Sequence, residues 1–120
     1  MPHCIIEYSQ ELTQDLDMTT IMKAVFAGSV LSSLFSPADI KVRAMPYNDF
    51  YTENIDKTNK SQQRFIHVCC KILSGRNLEQ RQNLSENILN QLTLLELKWI
   101  SISVEIVEME LESYNKQVSK

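Results

Sequence analysis

Glycine and proline are scarce in this chain of 120 residues, which contains two glycines and three prolines. So few of either residue excludes collagen-like and low-complexity sequences. Two glycines also leave no glycine-rich loop of the kind that cradles phosphate groups in nucleotide-binding proteins. The length, with an apolar content of 43%, is that of one ordinary globular domain. We therefore expect a single domain over residues 1–120.

An excess of positive charge is also missing. Twelve Lys and Arg residues stand against fifteen Asp and Glu residues, so the formal net charge is −3. A nucleic-acid-binding domain normally has a basic face that releases phosphate counterions, and we expect no nucleic-acid partner. No apolar run reaches the roughly 18 residues that cross a bilayer, and the first residues do not resemble a signal peptide. These absences predict a soluble, cytoplasmic protein with no membrane partner.

Metal-ligand and disulfide patterns are missing as well. The three cysteines are an odd number, and the adjacent Cys69 and Cys70 point to opposite faces if they lie on a strand. We interpret the cysteines as small apolar residues in a reduced compartment. The two histidines, His3 and His67, are far apart and have no ligand partner nearby in the sequence. The sequence predicts no metal site and no cofactor.

Apolar periodicity divides the chain into two halves of similar design. Short apolar runs predict strands at Pro2–Tyr8 and Phe65–Leu73, and alternation with a period of two predicts strands from Ile40 onward and at Ser101–Met109. Pro46 places the end of the second strand at a sheet edge or in a turn. The polar stretch from Thr52 to Gln63 is interpreted as a connector, because neither half alone could bury a core.

Two helices are predicted between the strands. Asp17 or Thr19 can cap the first helix. Asn77 and Gln80 have the spacing of a capping box at the start of the second. The apolar stripe of the second helix has three- and four-residue spacing through Leu84, Ile88, Leu92, Leu95 and Trp99. The residues from Glu110 onward are polar, and we expect them to fray or to dock loosely.

This order of elements predicts an α/β fold, an α+β sandwich of two βαβ units at about residues 2–50 and 64–109. Right-handed crossovers make the two strands of each unit parallel. The result is a four-stranded sheet with two helices on one face. The third strand has apolar side chains on both faces, with Val68 on one and Cys69 on the other. Since two helices cannot cover both faces, we expect a second copy of the chain on the open one.

Pro2 is the most informative candidate for chemistry. Removal of Met1, which a small second residue favours, would leave a secondary amine at the N-terminus. An α-amino group has a reference pKa of about 8. Burial or nearby cations lower this pKa toward the range in which a base accepts a proton from a carbon next to a carbonyl. The alternative is a proline that simply begins a strand, where its missing N–H is harmless.

Three cationic side chains are candidates for carboxylate binding. Gly75 permits a turn before the second helix, and Arg76 offers a guanidinium fork close to a helix N-terminus. Lys41 and Arg43 lie on one side of the second strand. The simpler interpretations are a solvated turn arginine and the wet face of a strand. No Ser-His-Asp or Cys-His arrangement can be placed in the sequence.

Three segments carry a resemblance to a known family. The run PHCIIEYS at residues 2–9 resembles the start of the 5-carboxymethyl-2-hydroxymuconate isomerase family, in the tautomerase superfamily. Residues 65–82, which end in SGRNLEQRQ, resemble the second strand, turn and helix of that family. The run ISVEI at residues 102–106 fits its closing strand. The resemblance extends over nearly the whole chain.

The resemblance implies a homotrimer without a cofactor that acts on a small unsaturated 2-hydroxy or 2-oxo carboxylate, such as 5-carboxymethyl-2-hydroxymuconate from aromatic catabolism. It makes Pro2 the base, which takes a proton from a dienol and returns it to a distant carbon of the conjugated system. It makes Arg43 and Arg76 the carboxylate-binding residues. Lys41 departs from the family, which has arginine there, and a lysine is a point charge without a bidentate fork.

Two alternatives stay open. The same pocket could support another reaction of the superfamily, such as phenylpyruvate-type tautomerisation, hydration or dehalogenation. The chain could also be a trimeric interaction protein that has lost turnover. Residues 44–63 match the family poorly, which leaves the far end of the substrate undefined.

Overall fold

The computed structural model describes residues 1–53 and 63–120 of the chain. The strands are β1 (His3–Ser9), β2 (Lys41–Tyr47), β3 (Arg64–Leu73) and β4 (Ile100–Met109), and the helices are α1 (Met18–Leu31) and α2 (Leu78–Thr93). Short 3₁₀ helices occupy Gln10–Gln14, Pro37–Asp39 and Leu111–Ser113. Most of the expected connector, residues 54–62, lies outside the described residues.

The four strands form one mixed sheet in the order β2-β1-β3-β4. β1 is parallel to β2, β3 is parallel to β4, and β1 meets β3 antiparallel. The helix α1 connects the first parallel pair and α2 connects the second. The predicted four-stranded sheet built from two βαβ units is therefore confirmed.

The core lies between the two helices and one face of the sheet. Alternate residues of β1 and β3 point into it and are fully buried: Cys4, Ile6, Ile66, Val68, Cys70 and Ile72. The helices contribute the buried residues Ile21, Val25, Leu84, Ile88 and Leu92. The opposite face, here called the open face, carries partly exposed residues of β1 and β3 that include His3, Ile5, Cys69 and Lys71. This division follows from the two-residue period of a strand.

The helices begin and pack as their sequences dictate. Asp17 caps α1 by accepting a backbone N–H at 3.0 Å, and Asn77 with Gln80 forms the predicted capping box of α2. The two helices approach closely at Gly28, where an added Cβ would lie 2.6 Å from the Cα of Ile88. In the described part of the chain, no helix has the length and apolar character to cross a membrane.

One prediction about the second half of the chain was wrong. The helix α2 ends at Thr93, so Trp99 does not extend its apolar stripe. Glu96 and Trp99 have φ values of 53° and 55°, where the chain turns back toward β4, and Trp99 stays 55% exposed. Of the two outcomes expected for the tail after β4, the structure shows docking, because Tyr114 contacts His3 of β1. Pro46 lies in the edge strand β2, as predicted.

Candidate functional site

The strands bring the candidate residues to one end of the sheet. In the sheet register, His3 of β1 lies opposite both Lys41 of β2 and Lys71 of β3. Pro2 therefore lies at the end where β2 begins and β3 finishes. The turn that carries Arg76 follows β3 at this same end. We call it the N-terminal end of the sheet, after the start of β1.

Pro2 is fully buried at the N-terminal end. Its carbonyl oxygen accepts the backbone N–H of Lys41 at 3.0 Å, which holds it against β2. The Met1 amine before it donates to the carbonyl oxygen of Asp39 at 3.0 Å. Burial, and then the charges of Lys116 and Lys41, lower the pKa of this amine, while Asp39 opposes the shift. An amine here becomes neutral more readily than an amine in water.

Lys41 and Arg43 extend from β2 and are exposed. The Lys41 ammonium donates to the carbonyl oxygen of Asp39 at 3.3 Å. The Nη1 atom of Arg43 lies 3.4 Å from Nδ1 of His3 on the neighbouring strand. The structure thus brings both cations beside the N-terminal segment and adds His3 to them.

Arg76 lies at the same end of the sheet but contacts the connection between α1 and β2. Gly75 before it has a φ of 122°, a conformation that glycine adopts without strain. The Arg76 guanidinium donates to the carbonyl oxygen of Leu34 at 2.8 Å, and it lies 5.7 Å from the centre of the Phe35 ring. Within the described residues it makes no hydrogen bond to the other three candidates. Arg76 therefore has a structural contact that the sequence did not predict.

The C-terminal tail adds residues that sequence reasoning missed. The hydroxyl of Tyr114 lies 3.1 Å from Nε2 of His3, and the Nζ of Lys116 lies 3.2 Å from Oδ1 of Asp39. The sequence does contain a signal that His3 belongs to the site. Strand alternation puts the side chain of His3 on the same face of the sheet as that of Lys41, its partner in β2. No local pattern predicts the two tail contacts, because the first joins residues that are 111 positions apart and the second joins residues that are 77 positions apart.

Three cationic groups surround Asp39 at this end of the sheet. The carbonyl oxygen of Asp39 accepts from both the Met1 amine and Lys41, and its carboxylate pairs with Lys116. The hydrogen bond from Lys116 lowers the pKa of Asp39, so its carboxylate is ionised at neutral pH. Several cations around one carboxylate attract a further anion. A neutral amine beside such cations can accept a proton while the cations hold a carboxylate.

Two concavities of the described chain lie away from Pro2, Lys41 and Arg43. One, of about 210 Å³, is lined by Gln10, Glu11, Tyr47, Asn48 and Phe50. The other, of about 370 Å³, is lined by the end of α1 and the start of α2. The same part of the chain holds no group of three His, Cys, Asp or Glu side chains that could share a metal ion.

Comparison with known proteins identifies one family. The family model described as 5-carboxymethyl-2-hydroxymuconate isomerase matches residues 2–119. No curated protein matches the sequence. A crystal structure of 5-carboxymethyl-2-hydroxymuconate delta-isomerase is similar with a TM-score of 0.82 and 19% identity, covering 99% of this chain and 89% of that one. A crystal structure of a 5-carboxymethyl-2-hydroxymuconate isomerase from Deinococcus radiodurans R1 is similar with a TM-score of 0.76 and 20% identity, and the match covers 98% of this chain and 90% of that one.

A third similar structure is a fused 4-OT protein that forms a symmetric trimer. Its TM-score is 0.67 at 14% identity, and the match covers 96% of this chain and 93% of that one. At these identities the similarity concerns the fold, and it confirms the predicted tautomerase-like arrangement of strands and helices. The family match covers every strand and helix described above.

Proposed function

This chain belongs to the 5-carboxymethyl-2-hydroxymuconate isomerase family, a family of isomerases, and from that premise we propose that it catalyses a cofactor-independent proton transfer in an unsaturated 2-hydroxy or 2-oxo carboxylate. The observation that supports this most is the lowered pKa of the Met1 amine, which immediately precedes Pro2. Burial and the charges of Lys116 and Lys41 lower that pKa, which suits a base that works near neutral pH. The proposal includes a cytoplasmic role in the breakdown of aromatic compounds.

In this proposal Met1 is removed and the nitrogen of Pro2 is the base. That nitrogen lies one residue further along the chain than the Met1 amine, and we expect burial and the same cations to lower its pKa as well. The hydrogen bond from the N–H of Lys41 to the Pro2 carbonyl holds the residue in position. The unprotonated amine takes a proton from the dienol and returns it to a distant carbon of the conjugated system. The reaction consumes no other reactant, because the proton that leaves one atom is added to another.

The cationic side chains bind the carboxylates and stabilise the dienolate charge. Arg43 and Lys41 are exposed on β2 beside the N-terminal segment. Arg76 uses one guanidinium nitrogen for the carbonyl oxygen of Leu34, and a guanidinium has five N–H donors in all. Its other donors are therefore suited to a carboxylate. Lys41 contributes a point charge in place of a fork.

The proposal also includes a homotrimer. Ile5, Cys69 and Val107 are partly exposed on the open face in the single chain, and covering them would stabilise an assembly. A similar structure, the fused 4-OT protein, is a symmetric trimer. Sedimentation velocity at micromolar concentration tests this point. A monomer would contradict both the trimer and a pocket completed between copies.

A substrate panel tests the proposed activity. The panel contains 2-hydroxy-2,4-dienoates with one or two carboxylates, phenylpyruvate, and halogenated unsaturated acids, each followed by ultraviolet absorbance. Isomerisation of the dienoates as the fastest reaction is the expected result. A preference for another member would favour a different reaction of the superfamily. No turnover by protein whose mass shows a free Pro2 would favour a non-catalytic interaction protein.

A further inference from the structure

The C-terminal tail, residues 110–120, crosses the N-terminal end of the sheet. It leaves β4 at one edge, where the carbonyl oxygen of Met109 accepts the N–H of Ser74 at 2.9 Å. Its residue Lys116 reaches Asp39, which lies two residues before the strand at the opposite edge. Three strand spacings, about 14 Å, separate the two edges. Residues 110–116 are long enough to cover that distance when extended.

Two side chains hold the tail at this position. The Tyr114 hydroxyl lies 3.1 Å from Nε2 of His3, and the two rings meet edge to face with centres 6.2 Å apart. Lys116 pairs with Asp39, and its side chain keeps only 33% of its surface exposed. A polar tail without such contacts would fray. The contacts therefore define the path of the tail over the start of β1.

The tail places a further cation beside the proposed substrate site. The ammonium of Lys41 donates to the carbonyl oxygen of Asp39, and the ammonium of Lys116 pairs with the carboxylate of the same residue. Both ammonium groups thus contact Asp39, and the carbonyl oxygen of Asp39 also accepts a hydrogen bond from the Met1 amine. A single carboxylate does not neutralise them, and a second one from a ligand would be attracted to the same place.

We propose that Lys116 binds a carboxylate of the substrate together with Lys41, so that the tail selects a dicarboxylate over a monocarboxylate. The inference rests on the proposed function, since it assigns Lys116 as a binding residue for a second carboxylate of the proposed substrate. An ammonium donates from a single point, and two of them supply the pair of contacts that one arginine fork would make. Tyr114, which acts through His3, is a positioning residue for the tail.

The test measures ligand binding without turnover. The probes are 2-oxohexanedioate and 2-oxohexanoate, which differ by one carboxylate, and calorimetry gives the affinity of each for the full chain with a free Pro2. Lys116→Ala is expected to weaken binding of the dicarboxylate about threefold to tenfold, with little change for the monocarboxylate. Lys116→Arg should restore the preference. Lys120→Ala, on the same tail, is the matched control and should behave like the unmodified chain.

A second variant separates ligand binding from anchoring of the tail. If Lys116 only anchors the tail, Asp39→Asn removes its partner and should weaken dicarboxylate binding as Lys116→Ala does. If Lys116 binds the ligand, Asp39→Asn releases its ammonium, and dicarboxylate binding stays the same or becomes tighter. Equal losses in the two variants would overturn the inference. So would an unchanged preference in Lys116→Ala, or an unmodified chain that binds neither probe. Dicarboxylate selection without turnover would instead contradict the proposed function alone.

Discussion

The Nε2 atom of His3 lies 3.1 Å from the hydroxyl oxygen of Tyr114, although 111 positions separate the two residues. The Nδ1 atom of the same ring faces the guanidinium of Arg43 at 3.4 Å. Because a guanidinium only donates, Nδ1 accepts, and the neutral ring carries its proton on Nε2 and donates it to Tyr114. Burial, and then the charge of Arg43, lower the pKa of His3, which favours this neutral form.

Tyr114→Phe is expected to lower the free energy of unfolding by about 0.5–1.5 kcal/mol, since it leaves the Nε2–H of His3 without its acceptor. Urea denaturation provides the measurement. Tyr51→Phe removes the same hydroxyl from a residue that is 82% exposed, and it should leave stability unchanged. Equal stabilities of the two variants would show that the tail contact contributes nothing.

Gly28→Ala is expected to destabilise the protein by about 1–3 kcal/mol, the usual range for overpacking. The added methyl would lie 2.6 Å from the Cα of Ile88 and 2.8 Å from the carbonyl oxygen of Asn87. Both are backbone atoms of α2, so the two helices must separate. This outweighs the better helix propensity of alanine, which is worth about 1 kcal/mol. Thermal melts would contradict the account if Gly28→Ala were as stable as the exposed control Lys23→Ala.

Arg76→Ala is expected to lower kcat/KM. Loss of a charged contact to a bound carboxylate costs about 2–5 kcal/mol when the pair is buried and less when it is solvated. The expected fall is therefore about tenfold or more. Arg81→Ala, which breaks a surface pair with Glu108 at 3.6 Å, is the matched control. If Arg76 only ties its turn to Leu34, the variant will lose stability while kcat/KM stays unchanged.

The pH profile of kcat/KM reports on the N-terminal amine. Only the unprotonated amine is a base, so activity rises as the pH increases through its pKa. Burial, Lys116 and Lys41 lower the pKa of the Met1 amine. We expect them to act in the same direction on the Pro2 amine, one residue along the chain, so the midpoint should lie below the ordinary value of about 8. Lys116→Ala removes a repelling charge, which raises the pKa and moves the midpoint to higher pH. A midpoint at or above 8 in the unmodified chain would mean that these cations do not act on the base.

The elements that local chemistry specifies were predictable from the sequence. The capping box of Asn77 and Gln80 forms as expected, with hydrogen bonds of 2.8 and 2.9 Å, because capping involves only neighbouring residues. The end of α2 was not predictable in the same way. Leu95 and Leu97 continue the apolar pattern and pack against the core after the helix has ended, so the pattern predicts the wrong element for Trp99.

The candidate site was predictable only in part. Pro2, Lys41 and Arg43 come together because parallel pairing places the starts of β1 and β2 side by side, and the strand pattern already implied that pairing. The contacts of Tyr114 and Lys116 depend on the path of a tail with no periodic pattern. Such contacts arise from tertiary structure, which a single sequence does not display.

The central claim, that the nitrogen of Pro2 is the base, is tested most directly by blocking that nitrogen. Two preparations of the same chain are compared with the best dienoate substrate: one whose intact mass shows the loss of Met1, and one that retains a residue before Pro2. Pro2→Ala with a free amine serves as the intermediate case and should keep a small residual activity. The account predicts turnover in the free-amine preparation and none in the blocked one, and full activity in the blocked chain would contradict it.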